Sequence, residues 1–173
     1  MKTASFVAGV VLGAAWASAG VPESVAPSAI PAYRLIRADL ATAGQPSPEA
    51  LLRLRELGFR TVVNLRTDGE GTAEEKATLQ AQGLRYVSVP IRLETFSLAD
   101  VEAVEKVLDD PAAGPVLLHC ASSNRVGGVW AVIQSRKGKS LEAALAAGRE
   151  AGLHSPQMEA AVRRVLGVPA ATP

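Results

Sequence analysis

One cysteine, two histidines and very few aromatic side chains set the first limits on this 173-residue chain. A lone cysteine, Cys120, cannot close an internal disulfide, and neither His119 nor His154 stands at metal-ligand spacing from it. The aromatic residues beyond the first nineteen positions are Tyr33, Phe59, Tyr86, Phe96 and Trp130, too scattered to announce a stacking platform. Charge of one sign is missing too. Lysine and arginine number 18 against 17 acidic residues, and Lys2 is the only charge in the first nineteen positions, so the remainder is neutral. A neutral chain lacks the basic face that a nucleic-acid backbone demands, and no nucleic-acid partner is expected.

There is also no apolar run long enough to span a bilayer. Ser5 to Trp16 is the longest candidate and is interrupted by Gly9 and Gly13. With Met1-Lys2 before it and Ala17-Ser18-Ala19 after it, the segment 1–19 reads as a secretory signal peptide cleaved before Gly20. The expected location is therefore periplasmic or secreted, with no stable membrane anchor after cleavage. In such a compartment an unpaired thiol is a liability unless it is used.

Residues 20–32, rich in Pro, Ser and Ala, read as a flexible leader, and 33–168 as a single domain. Ordered structure begins over Tyr33–Leu40. Ser47 and Pro48 open a helix that carries Leu51, Leu54 and Leu57 and ends at Gly58. Phe59–Leu65 and Leu84–Ile91 read as strands. Between them, Thr72 to Glu75 has the spacing of a capping box for a helix stopping at Gly83. Ser97 to Asp100 repeats that logic for a helix through Leu108. Val116–His119 is a further strand, and helices follow over Val126–Arg136, Leu141–Ala151 and Pro156–Leu166.

Strands alternating with helices predict an α/β fold, a mostly parallel sheet with helices on both faces. Ligands of such sheets bind at the carboxyl ends of the strands. Three loops share that rim: Arg66–Gly71, Arg92–Phe96 and Cys120–Arg125. The charged residues there, Arg66, Asp68, Glu70, Arg92 and Glu94, are the candidates for site chemistry.

In the last of these loops Cys120 ends an apolar strand and Arg125 lies at the start of a helix. Backbone N–H groups and the helix dipole converge there to stabilise negative charge, and a guanidinium can grip an oxyanion with two parallel bonds. A cysteine in a strand is ordinarily a small buried hydrophobe. A spacer of small, turn-forming residues argues for chemistry instead. A cysteine–histidine protease pair is disfavoured, because His119 neighbours Cys120 on a strand and must point to the other face, while His154 sits in a turn.

The His119-Cys120…Arg125 loop resembles the phosphate-binding loop of cysteine-dependent protein phosphatases. The whole arrangement resembles their dual-specificity-like bacterial branch, which includes the beta-lactamase-hydrolase-like proteins. Val62-Val63-Asn64-Leu65-Arg66-Thr67-Asp68-Gly69-Glu70 is similar to that branch's Asn-Arg-Pro-Asp-Gly-Glu signature, and Tyr86–Ile91 resembles the strand after it. The resemblance implies Cys120 as nucleophile, Ala121, Ser122, Ser123 and Asn124 as backbone cradle, Arg125 as clamp and Asp68 as general acid, with Glu94 its rival. His119, whose ring is expected to buttress the loop, joins Arg66 and Glu94 in the expected substrate-binding set. The partner would be a phosphorylated small molecule or a phosphoprotein, and no metal or cofactor is called for.

The chain departs from the pattern of the better-known tyrosine phosphatases in three places. Four residues rather than five separate Cys120 from Arg125, Ser123 stands where a glycine is usual, and Val126 replaces the hydroxyl residue after the arginine. A four-residue spacer also resembles that of rhodanese-type sulfurtransferases, in which the same cysteine would carry a persulfide. A third alternative is an anion-binding module without turnover.

Overall fold

The computed structural model describes residues 21, 23–26 and 28–169; the expected signal peptide and the chain's last four residues lie outside them. Five strands form one sheet in the order β1-β2-β5-β3-β4, where β1 is Arg34–Arg37, β2 Leu40–Ala43, β3 Thr61–Asn64, β4 Arg85–Ser88 and β5 Val116–His119. All pairings are parallel except the edge hairpin β1–β2. The expected α/β architecture is thus present. Strand β5 lies between β2 and β3 and is buried along its length, as a central parallel strand must be.

Alternation along β5 divides the core. Val116, Leu118 and Cys120 face a large apolar layer, built with α3 (Leu98–Leu108), α4 (Asn124–Arg136), α5 (Leu141–Glu150) and α6 (Pro156–Val165). Leu117 faces the opposite, smaller layer, together with α1 (Pro48–Leu51) and α2 (Ala73–Ala81). Helix α4 holds nine buried residues and packs chiefly on α5 and α6. Gly127 allows that contact. A Cβ there would lie 2.0 Å from the Leu153 nitrogen and 2.6 Å from the Gly148 oxygen.

Local signals succeeded where the chain obeys them locally. Ser97 N–H and Oγ both donate to Asp100 Oδ2 at 2.9 Å, the expected box opening α3. Three expectations need correction. The helix after Ser47 is regular only over Pro48–Leu51, because its bonding tightens at Arg53, whose N–H bonds Ala50 O at 3.0 Å and leaves residues 52–58 in turns. Thr72 makes no cap, and Glu75 turns inward. Within the segment expected to be a flexible leader, Val21 and Ile30 pack onto the smaller layer, Ile30 fully buried and Val21 at 6% exposure. Among the described residues, no helix is long and apolar enough to cross a membrane.

Candidate active site

Beyond His119 the chain enters the loop that joins β5 to α4. Gln45 N–H donates to Ala121 O at 3.1 Å, and Gly44 bridges to Ser122. Gly44 is wedged between carbonyls. A Cβ there would meet both Ala121 O and Pro31 O at 3.2 Å, so a side chain would push the loop off its support. Ser123 adopts φ +66°, the left-handed conformation that a glycine would supply without strain, and is held at 1% exposure against Gly152.

Helix α4 then begins at Asn124, and its first intrahelical bond runs from Gly127 N–H to Ser123 O at 2.9 Å. The N–H groups of Asn124, Arg125 and Val126 therefore have no partner within the helix. They form the positive end of a 13-residue dipole at the loop that carries Cys120. The Asn124 side chain is turned away from that centre. Its Oδ1 accepts from His154 N–H (3.0 Å) and Ser155 N–H (3.1 Å), and its Nδ2 donates to Ser155 Oγ (2.9 Å).

Arg125 gathers the rim. Nη1 and Nη2 donate to Glu70 Oε2 and Oε1 at 2.8 and 2.7 Å, a bidentate pair, and Nη1 also reaches the carbonyls of Leu65 and Ile91 at 3.3 Å. The Glu70 hydrogen bond foremost, with the Glu70 charge behind it, raises Arg125 above the ordinary arginine value, while burial opposes it. Glu70 responds in the opposite sense. The Arg125 hydrogen bond, with help from Thr67, holds its carboxyl down at about 2. Thr67 N–H and Oγ1 both donate to Glu70 Oε2, so the capping box sits on the 3₁₀ turn Asp68–Glu70 rather than on α2.

The two candidate acids stand close in sequence to partners of this clamp. Asp68 is exposed on the 3₁₀ turn two residues before Glu70, and Glu94 is exposed three residues beyond Ile91. Two other expected substrate contacts are displaced. The His119 ring is fully buried on the face opposite Cys120, bonded through Nε2 to Glu75 Oε1 at 2.7 Å, so it meets neither a ligand nor the thiol. Arg66 is only 13% exposed and is consumed as a strut between Gln45 Oε1 (2.6 Å), Glu75 Oε2 (3.3 Å) and the carbonyl of Glu70. Glu75 and Gln45 were not foreseen. Glu75 is 3% exposed; burial would raise its carboxyl, but the hydrogen bonds from His119 and Gln45 and the Arg66 charge outweigh it and hold it below the usual glutamate value.

Comparison with known proteins agrees with this geometry. The family described as "Beta-lactamase hydrolase-like protein, phosphatase-like domain" matches residues 32–137. A beta-lactamase hydrolase-like protein of Xylella fastidiosa is 31% identical over 105 residues, which is 58% of this chain and 24% of that protein. That of Agrobacterium fabrum is 34% identical over 91 residues, 50% of this chain and 21% of that protein. The chain thus spans about a quarter of the length of the curated relatives it matches. Among solved structures, P. aeruginosa TpbA is 28% identical with a TM-score of 0.64, covering 87% of this chain and 94% of that one. The catalytic core of the PP-IP phosphatase SIW14 from S. cerevisiae shares the fold alone, with a TM-score of 0.64 at 17% identity over 76% of this chain and 83% of that one.

Proposed function

This chain belongs to the beta-lactamase hydrolase-like phosphatase-like domain family, and we propose that it is a cysteine-dependent phosphatase acting on a phosphate monoester, exported through its first nineteen residues. The observation that carries the reading is the loop that runs from the buried Cys120 at the end of β5 to Arg125 at the amino end of α4, where unpaired N–H groups and a guanidinium gather positive charge. TpbA has been crystallised with pTyr, and a phosphorylated small molecule or phosphoprotein is the corresponding substrate here.

The reaction runs in two displacements. The Cys120 sulfur attacks phosphorus, the S–P bond forms and the bond to the leaving oxygen breaks as an acid protonates that oxygen. Arg125 and the amides at the start of α4 take the equatorial oxygens, where charge concentrates. Water then attacks phosphorus, the S–P bond breaks, and inorganic phosphate leaves. The deciding assay sets the mature protein against an aryl phosphate and, in parallel, against thiosulfate with cyanide. Phosphate release is expected; thiocyanate without phosphate would assign a sulfurtransferase instead, and neither product would leave an anion-binding module.

Asp68 is the proposed acid. Its loss should remove a protonation that matters by about two to four orders of magnitude for a poor leaving group and little for a good one. Asp68→Asn is therefore expected to slow an alkyl phosphate far more than a nitrophenyl phosphate. The same split in Glu94→Gln, with none in Asp68→Asn, would transfer the role. For export, intact-mass analysis of the exported pool should find the chain starting at or near Gly20, and Met1 at its terminus would refute cleavage.

A further inference from the structure

Glu75 bonds His119 on the face of the sheet opposite Cys120, and three of its four partners lead on toward the reacting centre. Its Oε1 accepts from His119 Nε2 (2.7 Å) and Asn64 Nδ2 (3.1 Å), and its Oε2 accepts from Gln45 Nε2 (2.9 Å) and Arg66 Nη1 (3.3 Å). His119 precedes the nucleophile. Gln45 supports the cradle through Ala121 O. Arg66 bonds the Glu70 carbonyl, and the Glu70 carboxylate holds Arg125.

We propose that Glu75 is a positioning residue that fixes the nucleophile, the cradle and the arginine clamp relative to one another through these three branches. The chemistry demands a carboxylate. Both oxygens face donors, so an acceptor-only group satisfies all four bonds, whereas an amide in either orientation would turn its NH₂ toward two donors. Asn64 strengthens the same frame. Its Oδ1 accepts from Arg66 N–H at 2.8 Å, and its Nδ2 also reaches Tyr86 OH at 3.1 Å. A displacement of about 1 Å in such a frame can cost about a hundredfold in rate without removing any group that touches substrate.

The inference rests on Cys120 and Arg125 forming the anion-taking centre, so its test needs a readout besides turnover. Glu75→Gln, Glu75→Asp and Arg66→Gln would be compared with the parent chain well below each variant's melting temperature, the folded fraction being set by circular dichroism. Two quantities are read: kcat on an aryl phosphate, and the tungstate concentration that half-protects Cys120 from iodoacetamide. Glu75→Gln should lose about tenfold or more in both per folded molecule, and Glu75→Asp, which keeps the acceptors, should recover part of each. Arg66→Gln severs the Glu70 branch and one bond to Gln45 while leaving His119 on Glu75, and should cost tungstate protection more than kcat. Folded Glu75→Gln with parental kcat and parental protection, altered only in melting temperature, would overturn the proposal. Should Glu75→Gln not fold, Glu75→Asp and Arg66→Gln with parental protection would overturn it equally. A parent chain that releases no phosphate but is protected by tungstate would defeat the phosphatase reading alone, and the protection series would still decide the role of Glu75.

Discussion

Cys120→Ser is expected to abolish phosphate release, by about 10⁴-fold or more, while the fold survives with little change in melting temperature. The two halves of that result exclude each other's alternatives. Cys120 is fully buried and belongs to the apolar layer beneath α4. Were it only a small hydrophobe there, a serine hydroxyl in its place would lack a partner, cost about 1–3 kcal/mol and lower the melting temperature by several degrees with no consequence for chemistry. At the positive end of α4 beside Arg125 the hydroxyl finds donors and the stability cost shrinks, but oxygen is a far poorer nucleophile at neutral pH. Because the chain has one cysteine, iodoacetamide incorporation reads this site alone. Labelling of the parent chain should fall when phosphate, sulfate or vanadate is added, and labelling indifferent to all three would return Cys120 to the core.

What the sequence disclosed of this site was what local rules encode. The apolar run Val116–His119, the turn-forming spacer and the start of a helix near Arg125 are contiguous, and contiguity alone implies a strand, an anion loop and a helix. Ser97 and Asp100 form their box because both partners belong to one turn. Glu75 shows the limit. Thr72-x-x-Glu75 has the same spacing as the true boxes, and helical periodicity does not say whether Glu74 or Glu75 faces inward; that choice is made by His119, Asn64, Gln45 and Arg66, which arrive from distant strands and loops. The segment before Tyr33 misled for a related reason. Its Pro, Ser and Ala content matches a linker, but Val21 and Ile30 find apolar partners on the far face of the sheet, and Pro31 O accepts from Gly44 N–H at 2.8 Å. Through Gly44 that segment supports the cradle, a contact no local pattern announces. Arg66 was expected among the substrate-binding residues and Arg125 as the clamp. The buried Glu75 beside Arg66 makes it a strut, which no local pattern reveals.

Arg125→Ala should be the next most damaging change, lowering kcat/KM about 10³- to 10⁵-fold, since it removes the one guanidinium placed against charge developing on the transferred group. Arg125→Lys keeps the charge but not the fork, so it should recover only part of that loss. The same substitution has a signature in stability that needs no substrate. Arg125 lowers the Glu70 carboxyl from 4.5 to about 2, so the folded state favours the ionised form more than the unfolded state does. The stabilisation from this pair is therefore complete above about pH 4.5 and disappears as the pH falls through about 2. Without Arg125 the main cause of the depression is gone. The melting temperatures of the parent chain and Arg125→Ala should accordingly differ most near neutral pH and converge as the solution is acidified from 4.5 toward 2. A gap that stays constant across that range would mean that Glu70 is not the group Arg125 stabilises, and the carboxylate that now occupies the fork would have no part in holding the clamp ready for an anion.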